Sequence, residues 1–221
     1  MISLFAINKT VARLVVFDMD GVLADVVSSW VYVHRHFGVN NDHSLYAYLR
    51  GEIDDLEFIR RDISLWKRKE PGITSTRIEK ILDDAPVMPG AENAVAELKR
   101  MGYRTAIVSA GIDLLAERIA HELGIDFQLA NGLVSDASGK LSGEGVLRVR
   151  LMDKGDAVLE AAKRVGASKK DVISVGNSLH DVSMFRRSGK GIAFCPSDDT
   201  VRKEADAVVE EKDLSGILKV I

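Results

Sequence analysis

The sequence predicts an α/β protein: a Rossmann-like parallel sheet with helices on both faces, an inserted small helical cap domain and a β-hairpin. Three observations carry this. Short apolar runs rich in β-branched residues recur along the chain, several followed by a helical pattern that glycine closes, as in βα units around a parallel sheet. One stretch, residues 25–86, holds helical patterns only. Another, residues 131–149, sets Gly132, Gly139, Gly143 and Gly145 between short apolar pairs, as a hairpin does.

Leu14-Val15-Val16-Phe17 reads as the first buried strand. In the helical stretch, Asp54 and Glu57 have capping-box spacing before Phe58, Ile59, Ile63 and Leu65, and Thr76 and Glu79 repeat it before Ile81 and Leu82. Trp30, Tyr46, Tyr48 and Trp66 give this stretch an aromatic content the rest lacks. Pro86 and Pro89-Gly90 mark the return to α/β. The expected division is a core of residues 1–24 and 87–221 with a cap of residues 25–86. Helices over Ala91–Met101, Ile112–Leu123 and Asp156–Val165 stop at Gly102, Gly124 and Gly166. Strands are expected at Tyr103–Val108, Phe127–Leu129, Val172–Val175, Gly191–Cys195 and Ala207–Val209.

Composition narrows the function. Thirty basic against thirty-three acidic residues give a net charge of −3, which argues against a nucleic-acid partner. No apolar run reaches the roughly 18–20 residues that cross a bilayer, and Met1–Thr10 lacks the layout of a signal peptide. A cytoplasmic protein without a membrane partner is expected; no pattern sets its oligomeric state. The single cysteine, Cys195, is read as a packed thiol at the end of a buried strand.

Four short motifs fall where strands meet loops and helices. Asp18-Met19-Asp20-Gly21 follows the first strand, at the edge where open α/β sheets place ligands. A calcium loop starting at Asp18 needs an oxygen ligand at its fifth position and a glutamate at its twelfth; these are Val22 and Ser29, so that reading fails. Ser109-Ala110-Gly111 ends another strand, with Gly111 opening a helix, a layout that makes a phosphate cradle from a hydroxyl and backbone N–H groups. Lys154 opens a helix against its dipole, so something else must hold it. Asn177-Ser178-Leu179-His180-Asp181 follows a fourth strand and offers two side-chain oxygens to a cation.

This ordered set, with an insert after the first motif, resembles the haloacid dehalogenase superfamily, specifically its phosphoserine-phosphatase-like branch, over nearly the whole chain. The resemblance implies a Mg²⁺-dependent phosphatase acting on a small phosphorylated metabolite. Asp18 attacks phosphorus, being ionised at neutral pH and needing no base. Asp20 protonates the leaving alkoxide and later deprotonates water. Ser109, Ala110, Gly111 and Lys154 surround the phosphoryl oxygens. Mg²⁺ is held by Asp18, the Asp20 carbonyl, Asn177 and Asp181.

Two departures stand out. The branch usually carries an aspartate at Asn177, so Mg²⁺ binds more weakly and Asp181 takes more of it. The branch's ammonium-binding glutamate and carboxylate-binding arginine fall on Val27 and Asp62. Asp25, Arg60 and Arg61 are the nearest charged replacements. Phosphotransfer to a small alcohol, or a catalytically weakened binding module, are the alternatives.

Overall fold

The structure is a computed structural model that describes residues 12–221; Met1–Thr10, read above for a leader, lies outside the described residues. The strands are β1 (Arg13–Phe17), β2 (Tyr103–Ile112), β3 (Phe127–Ser135), β4 (Leu141–Val146), β5 (Val172–Gly176), β6 (Lys190–Phe194) and β7 (Ala207–Val209). They form one sheet in the order β4-β3-β2-β1-β5-β6-β7, parallel throughout except for the β3–β4 pair. β1 lies at the centre and has apolar side chains on both faces. Because side chains alternate along a strand, Leu14 and Val16 pack toward α7 (Gly155–Val165) and α8 (Val182–Arg186). Val15 and Phe17 pack toward α5 (Ala91–Arg100) and α6 (Asp113–Leu123). A last helix, α9 (Asp199–Glu204), leads into β7.

Four helices fill the interval after the first motif: α1 (Ser29–His36), α2 (Asp42–Leu49), α3 (Asp55–Lys69) and α4 (Ser75–Leu82). Asp54 caps α3, its side chain accepting the Glu57 N–H at 2.8 Å as the spacing predicts. The fourth helix starts earlier than predicted: Thr74, not Thr76, accepts the Arg77 N–H, because Thr74 also bridges to Lys140 on the hairpin. Trp66 is fully buried and stacks on Trp30 at 5.6 Å, and Tyr48 stacks on Phe58, whereas Tyr46 is exposed. The chain leaves and re-enters at one place. Asp25 N–H donates to the Pro86 carbonyl and Met88 N–H to the Leu23 carbonyl, both at 2.8 Å.

Two strands differ from expectation. β3 pairs with β2 in parallel over Phe127–Leu129 and runs on to pair antiparallel with β4, so the hairpin extends the sheet. β2 continues to Ile112 with a register shift after Val108, which places Ser109, Ala110 and Gly111 in an irregular strand end rather than at a helix start. Cys195 lies just past β6, half-buried, with φ at +40°; its thiol contacts the Glu210 carbonyl, and burial pushes the thiol pKa up. Among the described residues no helix is long and apolar enough to cross a membrane.

Candidate active site

Register gathers the motifs. Phe17 lies opposite Ile107 on β2 and Val175 on β5, so Asp18, Ser109 and Asn177 emerge along one carboxyl edge. Asp18 N–H donates to the Val175 carbonyl at 2.9 Å, which extends the central ladder to the first site residue.

Asp18, Lys154 and Asp181 are all buried. The Lys154 ammonium hydrogen-bonds Asp181 Oδ1 at 2.7 Å and lies 2.8 Å from Asp18 Oδ1. One ammonium thus pairs with both carboxylates. Burial pushes the Asp18 carboxyl up to about 7; repulsion from Asp181 adds to this, and Lys154 opposes it. Burial alone lowers the Lys154 pKa, but Asp18 and Asp181 more than reverse this and hold it above its ordinary value. These partners supply what the adverse helix position of Lys154 requires.

The expectation that Asp181 compensates for Asn177 at a cation meets a different arrangement. Asp181 Oδ2 accepts from the Asn177 N–H at 2.8 Å, the Ser178 N–H at 3.1 Å and the Ser178 hydroxyl at 3.2 Å, while Oδ1 takes Lys154. With both oxygens engaged inside the protein, Asp181 shapes the loop and holds the lysine. Asn177 instead lies against the first motif. Gly21 has φ +79°, and a Cβ there would stand 2.1 Å from Asn177 Nδ2, so glycine is needed for conformation and for space.

Asp20 Oδ2 accepts the Ser29 N–H at 2.8 Å and the Ser29 hydroxyl at 2.9 Å, whereas Asp20 Oδ1 is buried without a partner. Burial raises the Asp20 pKa, and the two Ser29 hydrogen bonds oppose the rise. Ser109 is buried, and its Oγ accepts the Gly111 N–H at 3.1 Å. The Ala110 carbonyl accepts Trp30 Nε1–H at 3.0 Å and Asn131 Nδ2–H at 3.1 Å. Asn131 also accepts the Arg148 and Val149 N–H groups, at 2.8 and 2.9 Å, which ties the second motif to the loop leading to Lys154.

Ser29 and Asn131 were not picked out from sequence. Ser28-Ser29 before an apolar pattern signals a helix start, but its contact with Asp20 is tertiary. Asn131 stands at the hairpin's edge and, with Ala130, resembles the family's sequence there, but neither signal gives it a role.

Arg60 and Arg61, expected at the substrate, are engaged in exposed ion pairs. Arg60 pairs with Glu144 on β4 at 2.7 Å and Arg61 with Glu57 at 2.9 Å, because both sit on the solvent side of α3, whose buried residues include Ile59, Asp62, Ile63 and Trp66. Asp62 is buried, held by His34 at 2.8 Å and Asn41 at 2.5 Å. Asp25 pairs with Lys212 at 2.6 Å, and Val27 is 77% exposed.

A cation fits the site chemically. Asp18, Asp20 and Asp181 set three carboxylates near the one Lys154 ammonium, and the buried Asp20 Oδ1 lacks a hydrogen bond. All nearby donors are oxygens, which suits Mg²⁺. Among the described residues no three His, Cys, Asp or Glu side chains form a cage, so a cation here takes a mixed set of side-chain and backbone oxygens.

The family model for haloacid dehalogenase-like hydrolases matches residues 12–189. The chain is 32% identical to the phosphoserine phosphatase of Methanocaldococcus jannaschii, over 95% of this chain and 97% of that one. It is 31% identical to the phosphoserine phosphatase of Archaeoglobus fulgidus, over 95% of this chain and 60% of that one. Among solved structures, a phospho-aspartyl intermediate analogue of phosphoserine phosphatase superposes with a TM-score of 0.80 at 31% identity, covering 96% of this chain and 99% of that chain. A substrate-bound phosphoserine phosphatase complex superposes with a TM-score of 0.80 at 30% identity, covering 95% of this chain and 98% of that chain.

Proposed function

The chain belongs to the haloacid dehalogenase-like hydrolases, and from that premise we propose that it hydrolyses a small phosphate monoester through a phosphoaspartate on Asp18. The observation that carries this is the buried Asp18 carboxylate at the tip of the central strand, its Oδ1 paired with the Lys154 ammonium at 2.8 Å. A carboxylate in that setting is a nucleophile whose charge the lysine balances in the absence of substrate.

Asp18 attacks phosphorus as the alcohol departs, and Asp20 gives the alcohol its proton. Asp20 then takes a proton from the water that cleaves the acyl phosphate, which returns both carboxyl groups to their starting states. Lys154, the Ser109 hydroxyl and the backbone at Ala110 and Gly111 bind the phosphoryl oxygens. Asp18, the Asp20 carbonyl and Asn177, on the loop that Asp181 holds, would bind Mg²⁺, which would screen the repulsion between nucleophile and phosphate. Asp181 acts through Lys154, by holding it. Residues 25–86 form a cap over a core of 1–24 and 87–221, a division supported by the paired crossing at Asp25 and Met88.

The relatives named above are phosphoserine phosphatases. In this chain the expected replacements for an ammonium and a carboxylate partner are engaged elsewhere: Asp25 with Lys212, Arg60 with Glu144, Arg61 with Glu57. These engagements favour a small phosphate monoester other than phosphoserine.

Incubating the protein with ³²P-labelled monoester and Mg²⁺, then quenching in acid, tests the nucleophile. Label that hydroxylamine removes is expected on the wild type and absent from a folded Asp18→Asn variant. Label or turnover retained by that variant assigns the attack to another group.

A further inference from the structure

A carboxyl group that shuttles a proton has two oxygens, and one of them must carry it. Asp20 Oδ2 accepts two hydrogen bonds from one residue, the Ser29 N–H at 2.8 Å and the Ser29 hydroxyl at 2.9 Å. Oδ1 is buried and has no partner. We infer that Ser29 is a positioning residue for the proton transfer: it fixes Oδ2 as an acceptor and thereby assigns the transferable proton to Oδ1. This rests on Asp20 being the proton carrier.

The donor arithmetic supports the assignment. A proton on Oδ2 would weaken the hydrogen bond from the Ser29 N–H, which cannot reverse, and would force the Ser29 hydroxyl to turn round and accept. A proton on Oδ1 leaves both intact. In the first step the Oδ1–H bond breaks and the proton passes to the leaving oxygen, as the ester P–O bond breaks and the Asp18–P bond forms. In the second, Oδ1 takes a proton from water as the water oxygen bonds to phosphorus and the Asp18–P bond breaks.

Ser29 is well anchored for this task. Its Oγ donates to Asp20 while accepting the Ile112 N–H at 3.0 Å, so one hydroxyl joins the first motif to the strand end that carries the second. Ser29 is also the first residue of α1, after the N-cap Ser28, so the first cap helix itself sets the carboxyl's orientation. A Cβ at Gly111 would stand 2.6 Å from Ser29 Oγ and 2.8 Å from Asp20 Oδ2. The glycine of the second motif thus leaves room for the clamp.

The test separates aim from fold by leaving group. β-Glycerol phosphate releases an alkoxide that needs the proton; p-nitrophenyl phosphate releases a stable phenolate that does not. kcat/KM covers the steps through release of the alcohol. Ser29→Ala removes the hydroxyl and keeps the N–H. Ser29→Pro removes both donors at a helical position that accepts proline, after a Ser28 that is already extended (φ −164°, ψ 137°). Ser29→Ala should lower kcat/KM for β-glycerol phosphate about 10-fold or more and change it less than about 3-fold for p-nitrophenyl phosphate. Ser29→Pro should approach Asp20→Asn on both substrates, with circular dichroism confirming its fold; if it does not fold, Ser29→Ala decides alone. Equal losses on both substrates, or none on β-glycerol phosphate, overturn the inference. Asp20→Asn is the control. If it shows no leaving-group split, the role of Asp20 fails; if it splits and the Ser29 variants do not, only the role of Ser29 fails.

Discussion

Replacing Lys154 by methionine removes the ammonium that Asp18 and Asp181 share. The three side chains are 4%, 6% and 0% exposed, so solvent does little to replace the lost charge. Breaking a buried ion pair by removing one partner costs about 3–5 kcal/mol, because the other charge remains without compensation. Here one cation serves two carboxylates, which pushes the cost toward the top of that range. Protonation of one carboxyl limits it. Methionine fills most of the lysine's volume, so little of the loss comes from a cavity. Against a total stability of about 5–15 kcal/mol, the loss is a third or more, equivalent to a fall in Tm of about 10 °C for a chain of this length. Guanidinium unfolding of both proteins at pH 7 in EDTA measures it, with the m-values compared. A loss below about 1 kcal/mol at unchanged m would refute the claim that the triad is electrostatically coupled.

Three further outcomes are expected. Asp18 has its folded pKa raised to about 7 from 3.8, chiefly by burial, so folding takes up a proton: its contribution is fully present below about 4 and lost as pH rises through 7. Unfolding in EDTA, with Asp18→Asn as reference, should show that loss between about pH 4 and 7, and saturating Mg²⁺ should flatten it; a slope of opposite sign refutes the assignment. Asn177→Asp should tighten Mg²⁺ binding several-fold by adding an anionic oxygen, and EDTA should silence both proteins; calorimetric titration showing unchanged affinity removes Asn177 from the cation site. Finally, kcat/KM for phosphoserine should not exceed that for phosphoglycolate, glycerol phosphate or sugar phosphates, whereas a site built for both charged groups favours phosphoserine by up to about 10⁴.

Much of the core was legible because its signals are local. β-Branched runs, glycine stops after α6 and α7, and the Asp54 cap of α3 each depend on a few consecutive residues. So does the position of a motif at the end of a strand, and the strands' parallel register then brings Asp18, Ser109 and Asn177 to one edge. Where local signals competed, boundaries moved. The hairpin drew the start of α4 back to Thr74 and extended β3 past Leu129, because pairing partners far along the chain decide where an element begins and ends.

The sequence alone determined which chemical groups the protein owns and their order along the chain: a paired-aspartate loop, a hydroxyl at a strand end, a lysine at a helix start and a second acidic loop. The tertiary structure decided where those groups point. Arg60 and Arg61 are two and one residues from the buried Asp62, yet the rotation of α3 sends them to Glu144 and Glu57. Asp181 has a ligand's chemistry, but Lys154 and the turn at Ser178 claim its oxygens. Ser29 lies nine residues beyond Asp20, and only the docking of α1 beside the first motif brings its hydroxyl to that carboxylate. Side-chain direction depends on how each helix is rotated against its neighbours, and that rotation is set by burial summed over the whole core, a quantity no short stretch of sequence contains.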